Sequence, residues 1–118
     1  MNRDELIAAL RAFADDRNWG QFHTPKNLVM ALSGEVGELT EIFQWLTPEE
    51  SSAITDHPDR AARVAEELAD VYAYLLLLAD RLGISLDDAL TSKIAVNTEK
   101  YPIDRAYGNA TKYRKPSE

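Results

Sequence analysis

The chain has 118 residues, of which 45% are hydrophobic and 28% charged, with a formal charge of −7. That length fits one domain with a modest core, and the acidic balance argues against general binding to nucleic-acid backbones. The absence of cysteine excludes a disulfide framework and a thiolate metal site, and no apolar run approaches the roughly 20 residues that span a bilayer.

In chain order the pattern is helical nearly throughout. Residues 3–17 carry Leu6, Ile7, Leu10 and Phe13 at helical spacing. Acids interrupt the apolar stretch at the N-terminus, so no signal-peptide core is expected and the cytoplasm is the expected compartment. An aromatic loop with Trp19, Phe22 and His23 follows, closed by Thr24 and Pro25 as N-cap and first helical residue. A second helix is predicted over 25–46, stopped by Thr47 and Pro48. Residues 49–58 read as a loop or a short extra turn. Asp59 is the expected cap of a third helix over 60–82, ended by Gly83. Ser85, with Asp88 three residues on, opens a fourth helix to about residue 100, which Pro102 breaks. The expected organisation is one domain over 1–102 and a partly ordered basic tail over 103–118. Residues 1–92 hold seven basic and seventeen acidic side chains, against six and three in 93–118. An acidic body with a basic tail suits a site that assembles a cation and a polyanion.

Two acidic pairs stand where leucines belong. Leu28, Leu32, Leu39, Ile42 and Leu46 form the apolar seam of the second helix, and Glu35 falls in its middle. Glu38 lies about 60° to one side of Glu35. The third helix repeats the arrangement: Val64, Val71, Leu78 and Leu82 define a stripe, Glu67 lies within it and Asp70 flanks it near Tyr74. A buried carboxylate must be protonated, paired or bound to a metal, because leaving it unpaired costs several kcal/mol. Four acids together repel one another unless a cation neutralises them. Hard oxygen ligands favour Mg²⁺, with Mn²⁺ as a substitute, over zinc or copper. The competing reading is a solvated or salt-bridged acidic face. A di-iron bundle would need Glu-x-x-His pairs, and the two histidines, His23 and His57, both fall in loops. Gly34 and Gly37 beside Glu35 point to close approach of a neighbouring helix or a ligand.

These residues together resemble the all-α nucleoside triphosphate pyrophosphatases, the MazG-like group, and within it the dCTP pyrophosphatases. The resemblance runs through His23, Thr24 and Pro25, then Gly34-Glu35-Val36-Gly37-Glu38, Trp45, Glu67 with Asp70 and Tyr74, and finally Lys93, Asn97, Lys100 and Tyr101. It implies a four-helix bundle assembled as a homodimer or dimer-built homotetramer. The implied activity is Mg²⁺-dependent cleavage of a nucleoside triphosphate between the α and β phosphates. On the same resemblance Glu35, Glu38, Glu67 and Asp70 are the metal ligands, and Glu38 is the candidate for orienting the attacking water. Trp19, His23 and Trp45 become walls of the base pocket, Tyr74 lies near the sugar or phosphate, and Lys93, Asn97, Lys100 and Tyr101 contact the triphosphate. Neither a nucleic acid nor a membrane is an expected partner. The rival from another class is a non-catalytic nucleotide-binding or helical interaction module on the same fold. Independently of the resemblance, the run of four leucines at 75–78 surrounds one helix turn with apolar surface, so burial at a subunit interface is expected.

Overall fold

Asn2 opens the first helix, α1 (Arg3–Asp16). Its side chain accepts a hydrogen bond from the Glu5 amide, and the Glu5 carboxylate accepts one from the Asn2 amide, so two amides lacking helical partners are each satisfied by the other residue's side chain. In this computed structural model, which describes residues 1–112, the regular elements are all helical. The end of α1 is a left-handed turn. Asn18 takes φ +54°, its amide donates to the Asp15 carbonyl at 3.0 Å, and the Trp19 amide donates to the Ala14 carbonyl at 2.9 Å. Those two bonds are a Schellman closure with asparagine where glycine is usual. The reversal sets Trp19 edge-on to Phe13, with ring centroids 5.6 Å apart, and a single 3-10 turn, Gly20–Phe22, follows.

Thr24 caps α2 (Pro25–Phe43) as expected, its hydroxyl accepting from the Asn27 amide with Pro25 in the first turn. The helix ends three residues short of the predicted 46. Thr47 and Pro48 begin a helix instead of stopping one: Thr47 and Glu50 form a capping box at the head of α3 (Pro48–Ser52). A proline that cannot continue a helix is suited to its first position, where its missing N–H costs nothing. The stretch 49–58, expected as a loop or a short extra turn, is therefore mostly α3 followed by a 3-10 turn, Ile54–Asp56, that buries Ile54. The long α4 (Pro58–Leu82) starts two residues earlier than expected, at His57 and Pro58. Asp59 thus lies inside its first turn, where its charge complements the helix dipole, and is not the cap. Gly83 closes α4 at φ +66°, and Ser85 caps α5 (Leu86–Lys100) by accepting from the Asp88 amide. After Pro102 comes a short helix, α6 (Ile103–Ala106). The expected basic tail extends beyond Lys112, outside the described residues.

The chain divides into two compact units, Met1–Gly83 and the stretch from Ile84 onward. In the first, α4 is central: α2 packs along it, and α1 packs against it as well. Leu28 and Leu76 are 1% exposed and Ala14, Ile54, Val64 and Ala79 are also buried. Leu82, expected in the inner stripe of α4, is 51% exposed. Serving two neighbours turns the buried face of the C-terminal half of α4 onto Leu76 and Ala79. Arg11 on α1 and Asp80 on α4 form a bidentate ion pair, with Nε donating to Oδ2 at 2.7 Å and a second guanidinium nitrogen donating to Oδ1. Those hydrogen bonds hold the Asp80 carboxyl below the usual carboxylate range. Much apolar surface stays open: Val29, Met30 and Val36 on α2, and Leu68, Tyr72 and Leu75 on α4, are exposed. Within the run of leucines, Leu76 is buried while Leu77 and Leu78 are half-buried. No helix among the described residues is long and apolar enough to cross a membrane.

Candidate functional site

Packing α2 along α4 brings the two acidic pairs together. Glu35, Glu38, Glu67 and Asp70 each offer a carboxylate oxygen, and these four oxygens lie within 4.8 Å of one another. Glu35 and Glu67, the seam positions, are half-buried, while Glu38 and Asp70 on the flanks are exposed. One oxygen of each seam acid is left unsatisfied. Oε2 of Glu35 and Oε2 of Glu67 are buried and have no hydrogen-bond partner among the described residues. Orphaned oxygens of this kind are uncommon in native structures and call for an explanation.

The electrostatics follow from that burial. Desolvation, then a hydrogen bond shared with Glu38, then the charges of Glu38, Asp70 and Glu67, push the Glu35 carboxyl up to about 7. Glu67 is raised for the same reasons in the same order of desolvation before Glu38, with Arg63 pulling the other way. Burial and mutual repulsion thus disfavour the ionised forms of Glu35 and Glu67, a penalty that a bound cation would relieve. The donor set is all carboxylate, with neither nitrogen nor sulfur, which fits a hard divalent cation. Glu35, Glu38, Glu67 and Asp70 would hold it. Gly34 and Gly37 beside the cluster face open space: a Cβ at either would meet nothing within 4 Å. Close helix packing inside the chain is therefore not what they serve.

Beside the acids lies an aromatic cavity. Its walls are Leu10, Phe13 and Ala14 of α1, Trp19 and His23 of the loop, and Asp70, Ala73, Tyr74 and Leu77 of α4. Asp70 belongs to both the cluster and the cavity, so a ligand occupying the cavity abuts the carboxylates. Trp19 and His23 stand edge to face with centroids 6.5 Å apart. Three of the expected aromatic contacts, Trp19, His23 and Tyr74, are thus assembled. Trp45 is not. With α2 ending at Phe43, Trp45 falls in the following turn, 86% exposed and away from this cavity. Leu10, Phe13 and Leu77 were not foreseen as pocket residues, because an apolar side chain at helical spacing looks the same whether it lines a core or a cavity.

The remaining candidates belong to the second unit. Lys93, Asn97 and Lys100 follow one another at spacings of four and three along α5, and Tyr101 ends it, its amide donating to the Asn97 carbonyl at 2.9 Å. Lys100 and Tyr101 line a small hollow with Arg105 and Asn109. Arg105 was missed in the sequence because α6, which carries it, lies in a stretch read as tail.

Comparison with known proteins gives a consistent picture. The sequence profile of the MazG-like family matches residues 30–115. The dCTP pyrophosphatase 1 of Rattus norvegicus and that of Homo sapiens are each 46% identical over 110 residues, 92% of this chain and 65% of their own length. The chain thus spans slightly less than two thirds of these relatives. A crystal structure of a pyrophosphatase from Archaeoglobus fulgidus superposes with a TM-score of 0.79 at 44% identity, covering 84% of this chain and 91% of that one. The profile match takes in α2 and α4 and all four clustered acids but for the first residues of α2, and on that match and those identities this chain belongs to the MazG-like family.

Proposed function

We propose that this chain is a nucleoside triphosphate pyrophosphohydrolase, converting a deoxynucleoside triphosphate of the dCTP type to its monophosphate and pyrophosphate. The observation that carries the reading is the pair of orphaned Glu35 and Glu67 oxygens, converging with Glu38 and Asp70 at the edge of an aromatic cavity. That relatives bear the name dCTP pyrophosphatase 1 supports a deoxycytidine nucleotide as the substrate in this reading.

Phosphoanhydride cleavage asks a protein mainly for positioning and charge neutralisation. Glu35, Glu38, Glu67 and Asp70 would hold Mg²⁺, or Mn²⁺ in its place, which would supply charge neutralisation for the phosphates. The aromatic faces of Trp19, His23 and Tyr74 offer a base a stacking surface. Because Asp70 borders both regions, a base seated among these rings sets its phosphates beside the acids. Glu38, exposed at the rim, is the residue to accept a proton from the water that attacks the α-phosphorus as pyrophosphate departs. Lys93, Asn97, Lys100 and Tyr101 supply donors and charge suited to the triphosphate.

The test is a panel of dNTPs and NTPs with Mg²⁺, with pyrophosphate and orthophosphate measured separately. Pyrophosphate release strongest with dCTP is expected, and Glu38→Gln is expected to abolish it with the helical circular dichroism intact. Orthophosphate alone would place the cleavage elsewhere. Silence across the panel would favour a non-catalytic binding module.

A further inference from the structure

The aromatic cavity has three walls, and only one of them is well anchored. The α4 wall sits on the helix that carries Leu76 and Ala79, both buried, and α2 packs along it. The α1 wall contributes one buried residue, Ala14, while Phe13 is 48% and Trp19 43% exposed. Beside the packing of α1 on α4, two polar ties from adjacent residues of α4 reach these outer walls. Asp80 receives the bidentate bond from Arg11, the neighbour of Leu10 on α1. Arg81 Nη2 donates to the carbonyl of Gly20 at 2.7 Å, in the 3-10 turn between Trp19 and His23.

A second small hollow lies behind the cavity, lined by Arg11, Gly20, Asp80 and Arg81. Ala14, His23 and Leu77 line both spaces and form the partition between them. The two polar ties therefore sit directly behind the cavity wall, one side chain thick. Asp80 is ten residues beyond Asp70, about 15 Å along the helix, too far to act on the metal ligands.

We propose that Asp80 and Arg81 form a clamp of positioning residues that sets the width of the base cavity, by holding α1 and the aromatic loop against α4. The clamp rests on the nucleotide reading above and adds to it a determinant of base selection outside the pocket. Its loss lets the Trp19 and Phe13 walls drift from the base, which weakens binding and blurs discrimination between bases while the acids stay in place.

The experiment uses the full chain carrying Arg81→Met, which keeps the apolar stem and removes the donor, and separately Asp80→Asn, which keeps the shape and removes the charge. KM and kcat are measured for dCTP, dTTP, dATP and dGTP at saturating Mg²⁺, and the Mg²⁺-induced rise in melting temperature is recorded. Expected for both variants are a KM for the preferred nucleotide raised about tenfold, comparable with one weak base stack, a narrowed preference among bases, kcat within about twofold and an unchanged Mg²⁺ response. Arg81→Lys, which restores a donor, recovers part of the KM. Wild-type KM and base preference in Arg81→Met would overturn the clamp, as would a fall in kcat alone or loss of the Mg²⁺ response. A wild-type chain that turns over none of the nucleotides overturns the underlying reading and the clamp with it, whereas an active wild type with unaltered variants overturns the clamp alone.

Discussion

Glu35→Gln is expected to make the metal-free protein more stable while destroying its response to Mg²⁺. Glu35 sits half-buried in an apolar seam with one oxygen unsatisfied, and desolvation first, Glu38 second, raise its carboxyl from 4.5 to about 7. A carboxyl raised in the fold holds its proton more tightly there than in the unfolded chain. Its contribution is therefore fully present below about pH 4.5 and is lost as pH rises through about 7. Glu35 is only half-buried, so solvent screening cuts the penalty of its ionised form to about 1 kcal/mol. In a chain of this length that corresponds to roughly 4 °C in melting temperature. Glutamine has nearly the same shape, carries no charge at any of these pH values and can donate from its amide to the neighbouring acids. The assay is thermal unfolding followed by circular dichroism at fixed protein concentration, with chelator and then with Mg²⁺. At about pH 8 with chelator the variant should melt roughly 4 °C above the wild type, and the gap should close as pH falls towards about 4.5. Mg²⁺ should raise the melting temperature of the wild type and leave the variant nearly unmoved. A variant less stable than the wild type without metal at about pH 8, or one that responds equally to Mg²⁺, would refute the reasoning.

Two further predictions concern the frame around the site. Asn18→Val places a β-branched residue at φ +54° and should cost about 1–2 kcal/mol in urea unfolding, whereas Asn18→Gly should be neutral or stabilising; equal effects would mean the turn is not left-handed in solution. The exposed apolar residues of α2 and α4 should be covered by a second copy of the chain, so light scattering at micromolar concentration should give a multiple of 13.2 kDa, dimer or tetramer; a clean monomer would overturn that assembly.

Much of the fold was legible because punctuation and periodicity agreed. Threonine and serine caps lie at Thr24 and Ser85 as expected, and Gly83 ends α4 in the left-handed conformation its position called for. Thr47 and Pro48 misled because the same pair serves equally as a stop for one helix and a start for the next. Glu50, three residues after Thr47, completes the capping box that makes this a start, and that cue was present in the sequence but outweighed by the proline. The acid quartet was legible for a different reason. A glutamate in a leucine seam contradicts the pattern around it, and such contradictions gather where function requires them. Leu10, Phe13 and Leu77 contradicted nothing, so the cavity they line stayed hidden. The ties of Arg11 to Asp80 and Arg81 to Gly20 join residues 69 and 61 positions apart, and no short-range pattern encodes contacts at that separation.

Each helix of the central pair brings two of the four acids, so the cluster exists only while α2 and α4 keep one register. A slide of a single residue would carry Glu35 about 1.5 Å along the axis and 100° around it, enough to scatter the oxygens. The cation affinity proposed for the cluster would thereby gauge how faithfully the hydrophobic seam is packed. Trimming Leu28, two turns before Glu35, or Val64, one turn before Glu67, would register in that gauge well before the helices melted.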